Sequence, residues 1–436
     1  MSTDIHIIAP SAQESPAEEY WLQLLHGFED GIAAQYVVTD VSQDGSVIFA
    51  IDTYDATDAN MRMPVGRITR DGILTFGDYG IWSPYWIAAV EDGLAFTALD
   101  DGYAHSAIFR LDKFNRLLWA KQHAGAEYSW NIAESNGIIW ILGFADTPGV
   151  GCILKVDSAT GAVQNSWDLS HAGTEIRVQN VCVVGEVMYV AYVVLAPLDQ
   201  DDMGGIIAMT TAGVKLWDRA YKLTAGWTVY NYYIQRVGDY LYVDSGRFNP
   251  WPYRDFQLLK IRADTGELVW AKRLVTTPSA VSSFSTGIVS KDGQIYASVI
   301  YLDSSEAGFS AVIKITPDGD AEWQQALSKP SEPAGLVGGY FQPEASQSEG
   351  FSVSGTDYDS SGVYLPFLGH LPIRPDGPMT FGDYVWEDHP LDYPFVDITA
   401  DFTVTANYLT VAPAAYVLED FVVPPYLLGI DRREIS

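Results

Sequence analysis

Tyr232-Tyr233-Ile234, Tyr240-Leu241-Tyr242, Leu258-Leu259-Lys260-Ile261 and Leu268-Val269-Trp270 follow one another in the middle of the chain. Each is a short run of aromatic and aliphatic residues, the composition of a strand. Gly238 separates the first run from the second, and Gly266 the third from the fourth, as tight hairpins would. Four such strands make one small sheet with two apolar faces. That sheet is stable only if like neighbours cover both.

The neighbours are present in the sequence. A first series of turns stands at Gly45, Gly93, Gly137, Gly185, Gly238, Gly293 and Gly350, and a second at Gly72, Asn115, Gly161, Gly213, Gly266, Gly319 and Gly377. Four residues beyond the second turn come Phe76, Trp119, Trp217, Trp270, Trp323 and Phe381; the third unit has Asn165 there and Trp167 two places on. A basic residue precedes an aliphatic one in Arg67-Ile68, Arg110-Leu111, Lys155-Val156, Lys260-Ile261 and Lys314-Ile315. Units of 43 to 58 residues with this internal order predict an all-β chain, a seven-bladed β-propeller of four-stranded antiparallel blades over residues 31–387. The aromatic at a fixed place on the last strand is expected in the seam between blades, where its area is most useful.

Lys155-Val156-Asp157-Ser158-Ala159-Thr160-Gly161 and Ala263-Asp264-Thr265-Gly266-Glu267-Leu268-Val269-Trp270 resemble the tryptophan-docking repeat of quinoprotein-like (PQQ-type) propellers. The resemblance implies the propeller fold. It carries over no catalytic residue, since quinoprotein dehydrogenases often place two adjacent cysteines beside the quinone, whereas Cys152 and Cys182 fall in successive units. No cofactor is expected.

With 56 acidic against 25 basic residues, the net charge is −31. Affinity for a phosphate backbone comes from clustered Lys and Arg, so nucleic acid is excluded as a partner, and an anionic membrane surface equally. No apolar run reaches the ~20 residues needed to span a bilayer, and the first residues do not read as a secretory signal. Two cysteines make no disulfide framework and read as buried thiols.

Two segments lie outside the repeat. In residues 1–30, Ser15-Pro16-Ala17-Glu18 has the form of a capping box, predicting a short amphipathic helix with Trp21, Leu24 and Leu25 on one face. Residues 388–436 hold strand-like runs that end in Phe421-Val422-Val423, a C-terminal β appendage and tail. Trp21, Leu24, Leu25, Phe421 and Val422 are candidate assembly contacts, the alternative being that both ends strap the propeller shut.

Chemistry-bearing motifs are few. The seven histidines show no paired metal-ligand spacing, and neither a P-loop nor a G-x-S-x-G is present. Asp357, Asp359 and Ser361 open like a calcium loop, but Leu365 and Leu368 stand where further ligands belong, so an acidic turn is expected and no metal. Asp199, Asp201 and Asp202 read as a solvated loop tip. Prolines on both sides of Trp251 hold a loop extended, making Phe248, Trp251 and Tyr253 a candidate aromatic platform for a glycan or a protein partner. The expected function is a non-enzymatic recognition or structural propeller, most concretely a virion protein on the capsid or tail surface of a tailed bacteriophage, with protein partners in a larger assembly. A propeller enzyme acting on polysaccharide and a cytoplasmic bacterial scaffold are the alternatives.

Overall fold

The computed structural model describes residues 6–8, 21–24, 32–42, 44–55, 63–69, 74–78, 82–100, 106–123, 128–144, 149–195, 203–223, 228–248, 254–275, 282–302, 308–330, 336–343, 350–358, 364–373, 377–389, 395–420 and 430–432. Strands β1 (His6–Ile8) and β2 (Trp21–Leu24) precede the repeat. The first sheet then holds β3 (Ile32–Val41), β4 (Val47–Asp55), β5 (Pro64–Ile68) and β6 (Leu74–Asp78), and the second β7 (Trp82–Val90), β8 (Gly93–Asp100), β9 (Ser106–Asp112) and β10 (Leu117–His123). The third holds β11 (Tyr128–Ser135), β12 (Ile138–Phe144), β13 (Val150–Asp157) and β14 (Val163–Ser170). The fourth holds β15 (Glu175–Val184), β16 (Val187–Leu195), β17 (Met203–Thr210) and β18 (Lys215–Leu223). In the fifth are β19 (Thr228–Val237), β20 (Tyr240–Phe248), β21 (Arg254–Arg262) and β22 (Leu268–Leu274). There follow β23 (Ser282–Lys291), β24 (Gln294–Leu302), β25 (Gly308–Ile315) and β26 (Ala321–Ser328), then β27 (Leu336–Pro343), β28 (Gly350–Tyr358) and β29 (Tyr364–Pro372). The closing segment carries β30 (Met379–Phe381), β31 (Tyr384–Asp388), β32 (Phe395–Asp397), β33 (Phe402–Ala406), β34 (Thr410–Pro413), β35 (Leu418–Asp420) and β36 (Ile430–Arg432).

The first strands of successive units, β3, β7, β11, β15, β19, β23 and β27, pack side by side, and β28 and β29 return to β3, so the ring closes. The fold is an all-β propeller. As hydrogen-bonded sheets, however, the ring has six members rather than the seven separate four-stranded blades that the spacing predicts. Five are five-stranded and one is eleven-stranded, because a single parallel pair, Gly308 with Leu336, joins β25 to β27.

The core lies in the seams between sheets. Trp119, Trp167, Trp217, Trp270 and Trp323 are all at most 9% exposed. Each of three donates its indole N–H to the turn of the following unit: Trp119 to the Ser158 carbonyl at 3.0 Å, Trp217 to Ala263 at 3.0 Å and Trp270 to Pro317 at 3.3 Å. The second-turn glycine lies directly on the ring. At Gly213, where φ is +88°, an added Cβ would fall 1.9 Å from Nε1 of Trp167, so the displaced tryptophan of the third unit still fills its seam. In four units an aromatic on the second strand backs the tryptophan, with ring centroids 6.4 Å apart for Trp140–Trp167, 6.3 Å for Tyr189–Trp217 and 6.0 Å for both Tyr242–Trp270 and Tyr296–Trp323. The repeated basic residues are staples of the same end: Lys260 donates to the Pro317 carbonyl at 2.8 Å, and Arg67 to Asp44 at 2.9 Å.

The seventh unit breaks the turn rule. Gly350 begins β28 instead of forming a hairpin, and Gly377 and Phe381 lead into the closing segment rather than into a last strand. The outer partner of β29 is β2, with Trp21 opposite His370 and Leu24 opposite Phe367. Trp21–Leu24 is therefore a strand and not the predicted helix, because the open edge of β29 supplies more backbone hydrogen bonds than one short helical turn can.

The segment after β29 follows the strapping alternative read from the sequence. This β appendage runs backwards round the rim, pairing one antiparallel strand with the outer strand of each sheet in turn. β31 pairs with β26, β32 with β22, β33 with β18, β34 with β14, β35 with β10 and β36 with β6. This belt makes the sheets five-stranded. Residues 421–429 lie outside the described residues.

Candidate functional site

Two regions concentrate polar and aromatic groups not consumed by the seams: the axis and the belted rim. At the axis, six innermost strands carry a register shift at the equivalent place, between Ala34 and Tyr36, Pro84 and Trp86, Ser129 and Asn131, Val178 and Asn180, Asn231 and Tyr233, and Ser285 and Gly287. A bulge inserts one residue, sharpens the twist and re-aims the side chains beside it. The Trp86 and Tyr233 ring centroids come within 5.7 Å, at 37° between planes. Their strands, β7 and β19, belong to the second and fifth sheets, which are not neighbours in the ring, so this contact spans the axis. Both rings are half-buried. Asn131 donates to the Gln179 carbonyl at 2.8 Å, tying one bulge to the next unit's bulge. Paired rings and amides offer apolar faces with directional hydrogen bonds, a chemistry that suits recognition of a planar or sugar-like surface.

At the rim, the second-turn geometry places one carbonyl in each of four units to receive the belt. His389 N donates to the Gln324 carbonyl at 3.0 Å, Ile398 to Ala271 at 2.9 Å, Asn407 to Asp218 at 3.2 Å and Ala414 to Ser166 at 3.0 Å. Each acceptor lies five residues past its turn glycine. On the fourth sheet the clasp is strongest. The fully buried Asp218 carboxylate accepts from the backbone N–H of Tyr408 and, at 3.1 Å, of Leu409, and Lys215 reaches it at 2.8 Å while also donating to the Leu409 carbonyl at 2.8 Å. On the third, Ser166 Oγ donates to Ala414 O at 2.8 Å, and the Tyr416 hydroxyl bonds Asp168 at 2.6 Å. On the second, Lys121 meets Asp420 at 2.5 Å, and the neighbouring His123 is buried, which pushes its pKa down to about 4.

The residues singled out from sequence are distributed as follows. Phe248 ends β20, opposite Arg254, whereas Trp251 and Tyr253 lie outside the described residues. Trp21 and Leu24 are in β2; Leu25, Phe421 and Val422 lie outside the described residues. Asp357 is within β28, paired with Leu365, so the expected acidic turn starts later; Asp359 and Ser361 lie outside the described residues, as do Asp199, Asp201 and Asp202. Cys152 is buried, and burial raises the pKa of the half-buried Cys182. Among the described residues there is no group of three or more His, Cys, Asp or Glu side chains arranged to hold a metal ion, and no helix is long and apolar enough to cross a membrane.

The axial residues were missed from sequence although a signal existed. Gln35-Tyr36, Tyr85-Trp86, Trp130-Asn131, Gln179-Asn180 and Tyr232-Tyr233 each precede Val or Ile in the first strand of a unit. Bulky polar or aromatic pairs at this recurring place mark the bulge.

No protein-family model matches the chain, and no curated protein matches it. Solved structures resemble it at low identity. The β-propeller domain of the trilobed protease from Pyrococcus furiosus aligns with a TM-score of 0.48 at 9% identity, covering 82% of this chain and 98% of that one. The polysaccharide lyase Uly1 aligns at 0.45 and 9%, covering 84% and 97%. Quinohemoprotein alcohol dehydrogenase ADHIIG from Pseudomonas putida HK5 aligns at 0.40 and 10%, covering 83% and 81%.

Proposed function

We propose that this chain is a non-enzymatic recognition and assembly propeller, built to present loops and edges on a closed disc, and that its most concrete setting is the capsid or tail surface of a tailed bacteriophage. The observation that carries the reading is the belt. A chain segment that adds an outer strand to every sheet, and clasps four of them at a recurring carbonyl, makes a continuous rim, and sheet edges left without charge or proline are surfaces by which sheets join other chains. The contact of Trp86 with Tyr233 across the axis supports the same reading, because paired aromatic rings offer apolar faces suited to binding. The eleven-stranded sheet counts here as two units of the repeat, one built on β23–β26 and one on β27–β29 with β2, meeting at one bridge. Protein partners are expected at the rim and a glycan at the axial or loop face; the net charge of −31 favours basic partner surfaces.

The test is mass spectrometry of purified phage particles together with incubation of the recombinant chain with capsular and cell-wall polysaccharides. Stoichiometric presence in the particle and unchanged glycan chain length are expected. Depolymerisation by the pure chain would overturn the proposal, as would its absence from particles produced in cells that express it.

A further inference from the structure

Edge strands are normally protected against pairing with other chains by a charge, a proline or a bulge. The belt follows this rule with one exception once strand length is counted, since β30, outermost beyond β31 in the eleven-stranded sheet, is only three residues long. β31 contains Glu387 and Asp388, β32 Asp397, β34 Pro413, β35 Glu419 and Asp420, and β36 Asp431 and Arg432. β33, Phe402-Thr403-Val404-Thr405-Ala406, has neither charge nor proline and is rich in β-branched residues. Among the described residues it is the last strand of the fourth sheet, hydrogen-bonded to β18 on one side, and Thr403, Val404, Thr405 and Ala406 are exposed.

Register identifies which backbone groups face away from the molecule. Asn407 donates inward to the Asp218 carbonyl, and in an antiparallel ladder inward and outward residues alternate. Thr403 and Thr405 therefore bond β18, while Phe402, Val404 and Ala406 direct their N–H and C=O groups outward. Of the residues whose groups face out, Val404 is the central one, and that is the requirement for a strand to pair with its own copy about a two-fold axis.

We propose that β33 is a homodimerisation edge, and that two copies of this chain join through antiparallel β33–β33 pairing centred on Val404. In that register Val404 faces its counterpart, Thr403 faces Thr405, Phe402 faces Ala406 and Asp401 faces Asn407. Thr–Thr and Val–Val are favourable cross-strand pairs, and no acid meets an acid. Each outward residue exchanges both of its backbone bonds with the facing residue, so the fourth sheets of the two copies become one continuous sheet. A two-fold axis makes the contact isologous and closed, giving a dimer rather than a filament. Because each copy carries a net charge of −31, added salt screens the repulsion between them and tightens the dimer. This inference rests on the edge geometry alone and stands apart from the setting proposed above.

Sedimentation velocity on the full chain, from micromolar to submillimolar concentration and at low and high salt, tests it. Wild type is expected to dimerise, with a dissociation constant that falls as salt rises. Val404→Lys places a charge on the edge, and Val404→Pro removes an N–H that points outward and so leaves the β18 ladder whole. Both variants are expected to weaken dimerisation more than tenfold while keeping the wild-type circular dichroism spectrum. A wild type that stays monomeric throughout overturns the proposal, as does a dimer that persists unchanged in Val404→Lys, which does not depend on the tolerance of proline.

Discussion

Replacing Asp218 by Ala should release the belt from the fourth sheet without unfolding the ring. The side chain is fully buried and serves two backbone N–H groups, those of Tyr408 and Leu409, as well as the Lys215 ammonium. Hydrogen bonds to a charged group are worth about 1.5–3 kcal/mol each and do not add, and breaking a buried ion pair by removing one partner typically costs about 3–5 kcal/mol. Lys215 is itself 30% exposed and can turn to water, so the lower end, roughly 3 kcal/mol, applies. The ring offers a cheaper response than global unfolding: strands β33 and β34 can detach and hydrate. A local cost of roughly 3 kcal/mol corresponds to about a hundredfold faster amide exchange through local opening. Hydrogen exchange read by mass spectrometry should show that acceleration in peptides spanning 399–413, with 187–195 and 203–210 as protected as in the wild type. Asp218→Asn, which keeps the shape and one acceptor oxygen, should fall between. If exchange over 399–413 stays within twofold of the wild type in Asp218→Ala, the clasp does not hold the belt and the reasoning is wrong.

Trp270→Ala, at a seam position 8% exposed with its N–H satisfied by Pro317, should cost about 3–5 kcal/mol, read as a lower urea midpoint; an unchanged midpoint would remove the seam from the stability argument. Trp86→Ala at the half-buried axis should cost only about 1 kcal/mol, the scale of an aromatic pair, and a loss equal to that of Trp270→Ala would show that ring to be core instead. His123, held down to about pKa 4 by burial, is stabilising when neutral: its contribution is complete above about pH 6.5 and is lost progressively as pH falls towards about 4, roughly 3 kcal/mol in all. His123→Phe should flatten the melting temperature between those pH values, and an identical slope in the variant would assign the acid sensitivity elsewhere. Deleting residues 1–28 strips β2 from β29 and should lower the melting temperature; a truncated chain as stable as the whole would show that edge to be dispensable.

The parts of the fold legible in the sequence are those whose signal is local. Gly213 and Trp217 lie in one hairpin, and the demand for a left-handed turn and a seam aromatic falls on adjacent residues. Even Asn115, with φ +57° and a side-chain amide bonded to the Thr75 carbonyl, could be read as a glycine substitute. The belt was illegible for the opposite reason. β32 and β35 are three residues long with no hairpin partner beside them, and Asp420 finds Lys121 across 299 positions. Nothing in Leu418-Glu419-Asp420 declares which edge it will complete. At Trp21–Leu24 the capping-box signal was outweighed by an unfilled edge on β29, a demand visible only once the ring is closed. The site divides in the same way. The Trp86–Tyr233 contact needs two units far apart in sequence, although the paired bulky residues that precede each Val or Ile were there to be counted.

The backward course of the belt sets a schedule for the newborn protein. β6 leaves the ribosome early, yet its outer partner β36 is made about 350 residues later. At about 5–20 residues per second, the first sheet waits some tens of seconds with a bare flank. Each of β6, β10, β14, β18, β22 and β26 is open, from its own synthesis until its belt strand arrives, to any passing strand, including the same strands on a neighbouring polysome chain. The belt then seals them in reverse order of birth, sixth sheet first and first sheet last. A chain released early, short of residue 430, would carry its oldest sheet unfinished into the cell, and sensitivity of yield to termination anywhere before residue 430 is the expected mark of this architecture.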